Sequence, residues 1–299
     1  MQGIDEGPGV PALPAFVLRR YARRALAEDV GRGDVTTDLL VPADARARAR
    51  IVARAAGVVA GLALAREVFH TSDDALAVTL ETRDGMRVEA GAALVTVQGS
   101  ARAILSAERV ALNYLARLSG IATLTARFVD AVAGTGARIV DTRKTTPGLR
   151  ALEKYAVRCG GGANHRFALD DGFLLKDNHR AALAAAGRDV VAAVRAARQR
   201  LSHTVPVEVE VDTLEELERV LSAAPDAVLL DNMPPATLRE AVALVAGRAL
   251  TEASGGITLA NVRAVAETGV DLISAGALTH SASALDVALD FVVEDSDGD

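Results

Sequence analysis

From residue 137 onward the sequence switches repeatedly between two hydrophobic periods. Short strand-like runs at 137–141, 173–176, 205–211, 227–230, 250–253 and 271–274 are separated mostly by helix-like runs, among them 180–201, 213–223, 235–246 and 258–268. Alternation with connections this short predicts parallel strands joined by right-handed crossovers. Period alone leaves open whether the sheet is closed. The strand ends favour a barrel, because almost every run finishes on a polar or charged residue: Asp141, Lys176, Glu210, Asp231, Glu252 and Ser274. A (β/α) barrel gathers its chemistry from that rim, whereas a doubly wound sheet uses fewer strands at its switch point.

The first third reads differently. Residues 13–28 have the spacing of an amphipathic helix, with Phe16, Val17, Tyr21, Ala25 and Leu26 on one side. Residues 45–54 alternate Ala47, Ala49, Ile51 and Ala53 with Arg46, Arg48, Arg50 and Arg54, a strand with one buried face and a solvated arginine row. Shorter strands are expected at 76–80, 86–88 and 94–97, turned at Asp84-Gly85 and Ala90-Gly91, and a helix from 104 to 133. Residues 281–293 read as a helix packing back onto this first domain, and the acidic residues 294–299 as a disordered tail. The expected division is 1–112 with 281–299, and 113–280.

Composition removes several classes of function. The net charge of −6 disfavours nucleic-acid binding. Cys159 is the single cysteine, which excludes an internal disulfide and disfavours a thiolate zinc site, so it reads as a small buried residue. The N-terminus lacks the basic-then-apolar order of a signal peptide and no apolar stretch is long enough to span a membrane, so a soluble cytoplasmic protein is expected. Dinucleotide, Walker, metalloprotease and nucleophile-elbow motifs are absent.

Three constellations carry chemistry. The first runs from Asp141 through Thr142, Arg143 and Lys144 to Arg150, and is followed by Gly160-Gly161-Gly162, His165, Arg166 and Lys176. Four cations and a histidine at rim positions repel one another unless an anion joins them. Arginine matches a carboxylate with two donors and lysine acts as a point charge, so a small polyanion is expected. The second is Glu210 and Asp231, which end consecutive strands; Glu208 shares the face of Glu210 but lies deeper. Such a pair suits Mg²⁺, ribose hydroxyls or a developing cation. The third is a pair of small-residue loops, Ser254-Gly255-Gly256 and Ser274-Ala275-Gly276-Ala277, with Thr258 as a helix N-cap. Their backbone N–H groups suit phosphate. His280 is open to a phosphate contact or a capping role. Arg109 and Asn113 share a polar stripe one helical turn apart.

In this order the residues resemble the quinolinate phosphoribosyltransferase family. The resemblance begins near Glu28-Asp29-Val30-Gly31 and runs through Gly57-Val58-Val59-Ala60-Gly61 and Glu108-Arg109-Val110-Ala111-Leu112-Asn113. Its most specific part lies between Asp141 and Asp171, and Leu229-Leu230-Asp231-Asn232-Met233 and Glu252-Ala253-Ser254-Gly255-Gly256 complete it. It implies an N-terminal α/β sandwich and an incomplete parallel α/β barrel. It also implies at least a homodimer in which Arg109 enters the partner's site.

On this resemblance Arg109, Arg143, His165, Arg166 and Lys176 face quinolinate, and Thr142 is counted among the substrate-binding residues. Lys144, Glu210, Asp231, Ser254, Gly255, Gly256, Ala275, Gly276 and Ala277 face phosphoribosyl pyrophosphate, and His280 is counted among the substrate-binding residues. Lys144, Glu210 and Asp231 are the implied catalytic residues. Mg²⁺ arrives with the pyrophosphate near Glu210 and Asp231, directly or through water, and no organic cofactor is expected. Two rivals stand beside this reading: a relative with another acceptor, of the molybdenum-transport-associated type, and a non-catalytic phosphate-sugar binding module.

Overall fold

The structure, a computed structural model, describes residues 10–293. The expected tail at 294–299 and the start of the chain through residue 9 lie outside the described residues. The chain forms two compact units. One draws its described residues from Met1–Ala126, Ala151–Gly161 and Ala282–Asp299, the other from Arg127–Arg150 and Gly162–Ser281.

The first unit opens with helices α1 (Ala15–Val30) and α2 (Val35–Leu40). Asp34 caps α2 by accepting from the Thr37 N–H at 3.0 Å. Strand β1 (Arg46–Ala53) buries Ala47, Ala49 and Ile51 and exposes Arg46, Arg48 and Arg50, as the alternation predicts. After it come β2 (Gly57–Val58), α3 (Leu62–Ser72), β3 (Ala77–Leu80), β4 (Arg87–Val88), β5 (Ala93–Ser100) and the 31-residue helix α4 (Ala101–Ala131), which belongs to this unit as far as Ala126. The β4 segment pairs with β2 and not with its neighbours β3 and β5.

The C-terminal segment corrects the sequence reading. Residues 287–293 form a strand, not a helix: β12 (Val287–Val293) pairs antiparallel with β1 and gives a four-stranded sheet of order β12-β1-β5-β3. β12 is one edge of this sheet and covers the outer side of β1, which would otherwise be the open edge. The chain also returns to this unit through α5 (Arg150–Cys159), where Arg117 pairs with the fully buried Glu153 at 2.8 Å and Tyr155 donates to Asp84 at 2.7 Å. Cys159 is buried there, and burial pushes its thiol up to about 12, so it stays protonated and inert.

The second unit carries β6 (Arg138–Val140), β7 (Phe173–Leu175), helices α6 (Asp177–Ala185) and α7 (Val190–Arg198), and β8 (Val207–Val211). It continues through α8 (Leu214–Leu221), β9 (Ala227–Asp231), α9 (Pro235–Val245), β10 (Leu250–Ser254), α10 (Val262–Ala266), β11 (Leu272–Ser274) and α11 (Ala277–His280). Its six strands are all parallel, in the order β6-β11-β10-β9-β8-β7. Among the described residues no β6–β7 ladder closes the ring, which makes it an incomplete α/β barrel.

Two helix readings need correction. The run 180–201 is two helices, because Gly187 takes a positive φ of 63° and Asp189 starts α7 by accepting from the Ala192 N–H. The helix after β10 begins at Val262 with Asn261 as its N-cap residue, not at Thr258. Asn261 instead bridges the preceding loop, accepting from the Thr258 N–H at 2.8 Å and donating to the Gly256 carbonyl at 2.9 Å.

Candidate active site

Every strand of the second unit delivers a polar group to one end, because parallel strands share a direction. At the end of β6, Asp141 is fully buried and accepts from Asn164 Nδ2 at 2.7 Å and from the His165 N–H at 2.8 Å. This anchors the 164–166 segment to the rim. His165 Nδ1 accepts from the Arg166 N–H at 2.7 Å. Its Nε2 faces Glu208 of β8 at 3.2 Å and Glu252 of β10 at 3.6 Å.

Arg143 and Arg166 lie close enough to feel one another. Burial first and the Arg143 charge second pull Arg166 below the usual guanidinium range, while Glu208 partly offsets both. Arg166 donates to the Gly172 carbonyl at 3.3 Å. The Arg143 Nε–H is buried and has no hydrogen-bond partner. A guanidinium N–H taken from water and left without an acceptor costs free energy, so this position lacks a hydrogen-bond acceptor among the described residues.

Lys176 and Glu210 meet directly, Nζ to Oε2 at 2.7 Å, and the Asp177 N–H donates to the other Glu210 oxygen at 3.2 Å. Asp231 follows at the end of β9. Burial and then the Glu210 charge raise its carboxyl above the usual carboxylate range. Two carboxylates that oppose each other's ionisation favour a cation between or near them.

The loop after β10 is tied to Asp231. Ser254 is the register partner of Asp231, and its carbonyl accepts from the Asn232 N–H at 2.9 Å. Gly255 has φ 89°, and a Cβ there would collide with Asn232 Oδ1. Glycine is therefore required twice over, by backbone and by space. The loop after β11 sits beside β6, where the Ala275 N–H donates to the Val140 carbonyl at 3.1 Å. A Cβ on Gly276 would lie 2.9 Å from Lys144 Cδ and 3.1 Å from His280 Nε2, so both side chains pass over this glycine. Thr279 donates to the Lys144 carbonyl at 2.7 Å, and the Lys144 N–H donates to Thr142 Oγ1 at 3.0 Å.

The unit thus collects Thr142, Lys144, Gly276, Ala277 and His280 at one part of the rim. Arg143, His165 and Arg166 form a second group, and Lys176, Glu210, Asp231 and Ser254-Gly255-Gly256 a third. Arg109 is not among them: it lies exposed on α4 in the first unit. A cavity of about 650 Å³ lined by Leu169, Phe173, Leu183 and Ala197, with Arg188 and Arg200, contains Arg166 but no other predicted site residue. Sequence reasoning left Glu252, Glu208 and Asn164 without assigned roles. The available signal was period two from Glu210 and the polar end of β10.

Comparison with known proteins agrees with this geometry. Residues 34–119 match the N-terminal domain of quinolinate phosphoribosyl transferase and residues 121–290 its C-terminal domain. The chain is 49% identical over 280 residues to a nicotinate-nucleotide pyrophosphorylase [carboxylating] of Mycobacterium leprae, covering 91% of this chain and 96% of that one. It is 44% identical over 273 residues to a probable nicotinate-nucleotide pyrophosphorylase [carboxylating] of Bacillus subtilis, covering 91% and 93%. The crystal structure of NadC from Streptococcus pyogenes superposes with a TM-score of 0.90 at 39% identity, covering 95% of this chain and all of that one. The rim geometry, the two domain matches and these near-full-length likenesses place the chain in the quinolinate phosphoribosyl transferase family.

Proposed function

We propose that the protein transfers phosphoribosyl from phosphoribosyl pyrophosphate to quinolinate, yielding nicotinate mononucleotide, pyrophosphate and carbon dioxide in NAD biosynthesis. The observation that carries the reading is the buried Arg143 Nε–H without an acceptor, beside Arg166. A planar dicarboxylate supplies the missing oxygens and relieves the repulsion between the two guanidinium groups. The fullness of this cationic set favours a dicarboxylate over the acceptor of a molybdenum-transport-associated relative. The paired carboxylates favour an enzyme over a passive phosphate-sugar module.

The chemistry follows from the rim. As the bond from the anomeric carbon to pyrophosphate breaks, positive charge grows on the sugar, and the pyridine nitrogen attacks. Glu210 and Asp231 stabilise that charge and orient the ribose hydroxyls. Lys144, with the N–H groups of Ser254-Gly255-Gly256 and Ala275-Gly276-Ala277 and with His280, receives the phosphates. The Glu210 charge that raises the Asp231 carboxyl fits Mg²⁺ at or near the pair, and such an ion would supply charge neutralisation to the departing pyrophosphate. Once ribosylated, the ring nitrogen is cationic and stabilises the electron pair left on the adjacent ring carbon as its carboxylate departs as carbon dioxide; a proton then takes the vacated position. Arg143 and Arg166 retain the other carboxylate.

The reading includes a homodimer or higher homo-oligomer in which Arg109 of one subunit completes the quinolinate pocket of the next, and residence in the cytoplasm. Exposure of Arg109 and Asn113 one turn apart on α4 supports the first. No helix among the described residues is long and apolar enough to cross a membrane. Calorimetric titration tests the acceptor: quinolinate binds the parent protein, nicotinate binds far more weakly, and Arg143→Ala removes most of the difference. Equal binding of the two acids by the parent protein contradicts the reading.

A further inference from the structure

Two glutamates, Glu208 half-buried and Glu252 buried, remain outside the transfer chemistry. Glu208 lies two residues before Glu210 on β8, and Glu252 on β10 is 2% exposed. Both point at one histidine. His165 Nε2 is 3.2 Å from Glu208 and 3.6 Å from Glu252, and one ligand atom from each of the three residues falls within 4.8 Å of the others.

Three such groups resemble a metal site, but the other ring nitrogen argues against one. His165 Nδ1 accepts the Arg166 N–H. A neutral imidazole has one ring proton, so that proton resides on Nε2 and points at the glutamates. The ring offers the trio a donor where a metal requires a lone pair. Glu252 Oε1 is buried without a hydrogen-bond partner among the described residues and has His165 Nε2 3.6 Å away, while the Ser274 hydroxyl serves the same carboxyl group. The histidine backbone is fixed separately, its N–H donating to Asp141 at 2.8 Å. Glu208 reaches further, since its charge also favours the Arg166 guanidinium against burial and the Arg143 charge.

We propose that Glu208 and Glu252 are positioning residues for the acceptor: they clamp the His165 ring through its Nε2–H, and the ring in turn fixes Arg166 where the quinolinate carboxylate binds. They act through His165 and Arg166 and do not touch the reacting atoms. The proposal rests on the quinolinate reading above. The cost of breaking the clamp therefore falls on quinolinate and not on phosphoribosyl pyrophosphate. An acceptor oxygen near Nε2, charged or not, preserves most of it.

The test compares Glu208→Ala, Glu208→Gln, Glu252→Ala and Glu252→Gln by steady-state kinetics, with ¹⁵N-histidine spectra at neutral pH. The His165 signals are assigned by their loss in His165→Asn. The wild-type ring is expected in the Nε2-protonated form. Alanine at either position is expected to raise KM for quinolinate about tenfold or more, with KM for phosphoribosyl pyrophosphate within about threefold. Glutamine at the same position is expected to return KM to within about threefold of wild type.

Unchanged KM for quinolinate in folded alanine variants overturns the proposal, as does equal loss in the alanine and glutamine variants. If an alanine variant does not fold, the wild-type spectrum and the glutamine variants decide. A wild-type ring protonated at Nδ1 overturns the clamp even when quinolinate turnover is intact. No quinolinate turnover with an Nε2-protonated ring overturns the functional reading instead.

Discussion

Lys176 Nζ and Glu210 Oε2 lie 2.7 Å apart, joining the last residue before α6 to the barrel-facing acid of β8. The lysine side chain remains 44% exposed while the glutamate is 7% exposed, so the cation keeps a free side toward an incoming ligand. Glu210 also accepts from the Asp177 N–H, which holds it still. On the proposed reading, this acid is shared between the acceptor pocket and the sugar.

Glu210→Ala is expected to lower kcat about a hundredfold or more, because it removes charge stabilisation of the sugar cation. Quinolinate affinity is expected to be no weaker, since Lys176 is released from an internal partner. Rapid-quench turnover and calorimetric binding check both, and unchanged turnover removes Glu210 from the mechanism.

Gly255→Ala places a Cβ against Asn232 Oδ1 at φ 89°. The strain is expected to cost about 1–3 kcal/mol of stability and to distort the proposed phosphate loop. Thermal melting should show the loss. KM for phosphoribosyl pyrophosphate should rise more than KM for quinolinate.

Glu252 supplies a pH signature. Burial first, and the Glu208 charge second, push its carboxyl up to about 7 from an ordinary value of 4.5. A folded value above the unfolded one gives stability that is present below about 4.5 and lost as pH rises to about 7. Glu252→Gln does not titrate, so its stability relative to wild type is expected to improve across that window, by roughly 3 kcal/mol at most. Urea unfolding at several pH values reads the difference; a pH-independent difference contradicts the assignment.

Arg109 and Lys144 belong to different units of the chain. If Arg109 serves the partner's site, inactive Arg109→Ala and Lys144→Ala proteins should regain up to about a quarter of wild-type activity when subunits are exchanged by partial unfolding and refolding. Mixtures that exchange subunits yet stay inactive contradict the shared site.

The barrel was legible because its strands are short apolar runs ending in polar residues, a pattern set by burial on both faces. The β12 strand was not legible: Val287 to Val293 is apolar nearly throughout, and only its pairing with β1, more than 230 residues away, fixes it as a strand. The 180–201 run hid its break because Gly187 and Asp189 are short signals inside a long alanine-rich stretch. Among site residues, the cations announced themselves by their density. Glu208 and Glu252 did not, because an acid facing into a barrel has the same sequence spacing as one paired on its surface.

The most direct measurement supplies phosphoribosyl pyrophosphate and Mg²⁺ with either carboxyl-labelled quinolinate or nicotinate, and follows nicotinate mononucleotide and labelled carbon dioxide together. The account predicts equal amounts of both products from quinolinate and little mononucleotide from nicotinate. Comparable mononucleotide from nicotinate, or mononucleotide from quinolinate without carbon dioxide, contradicts it.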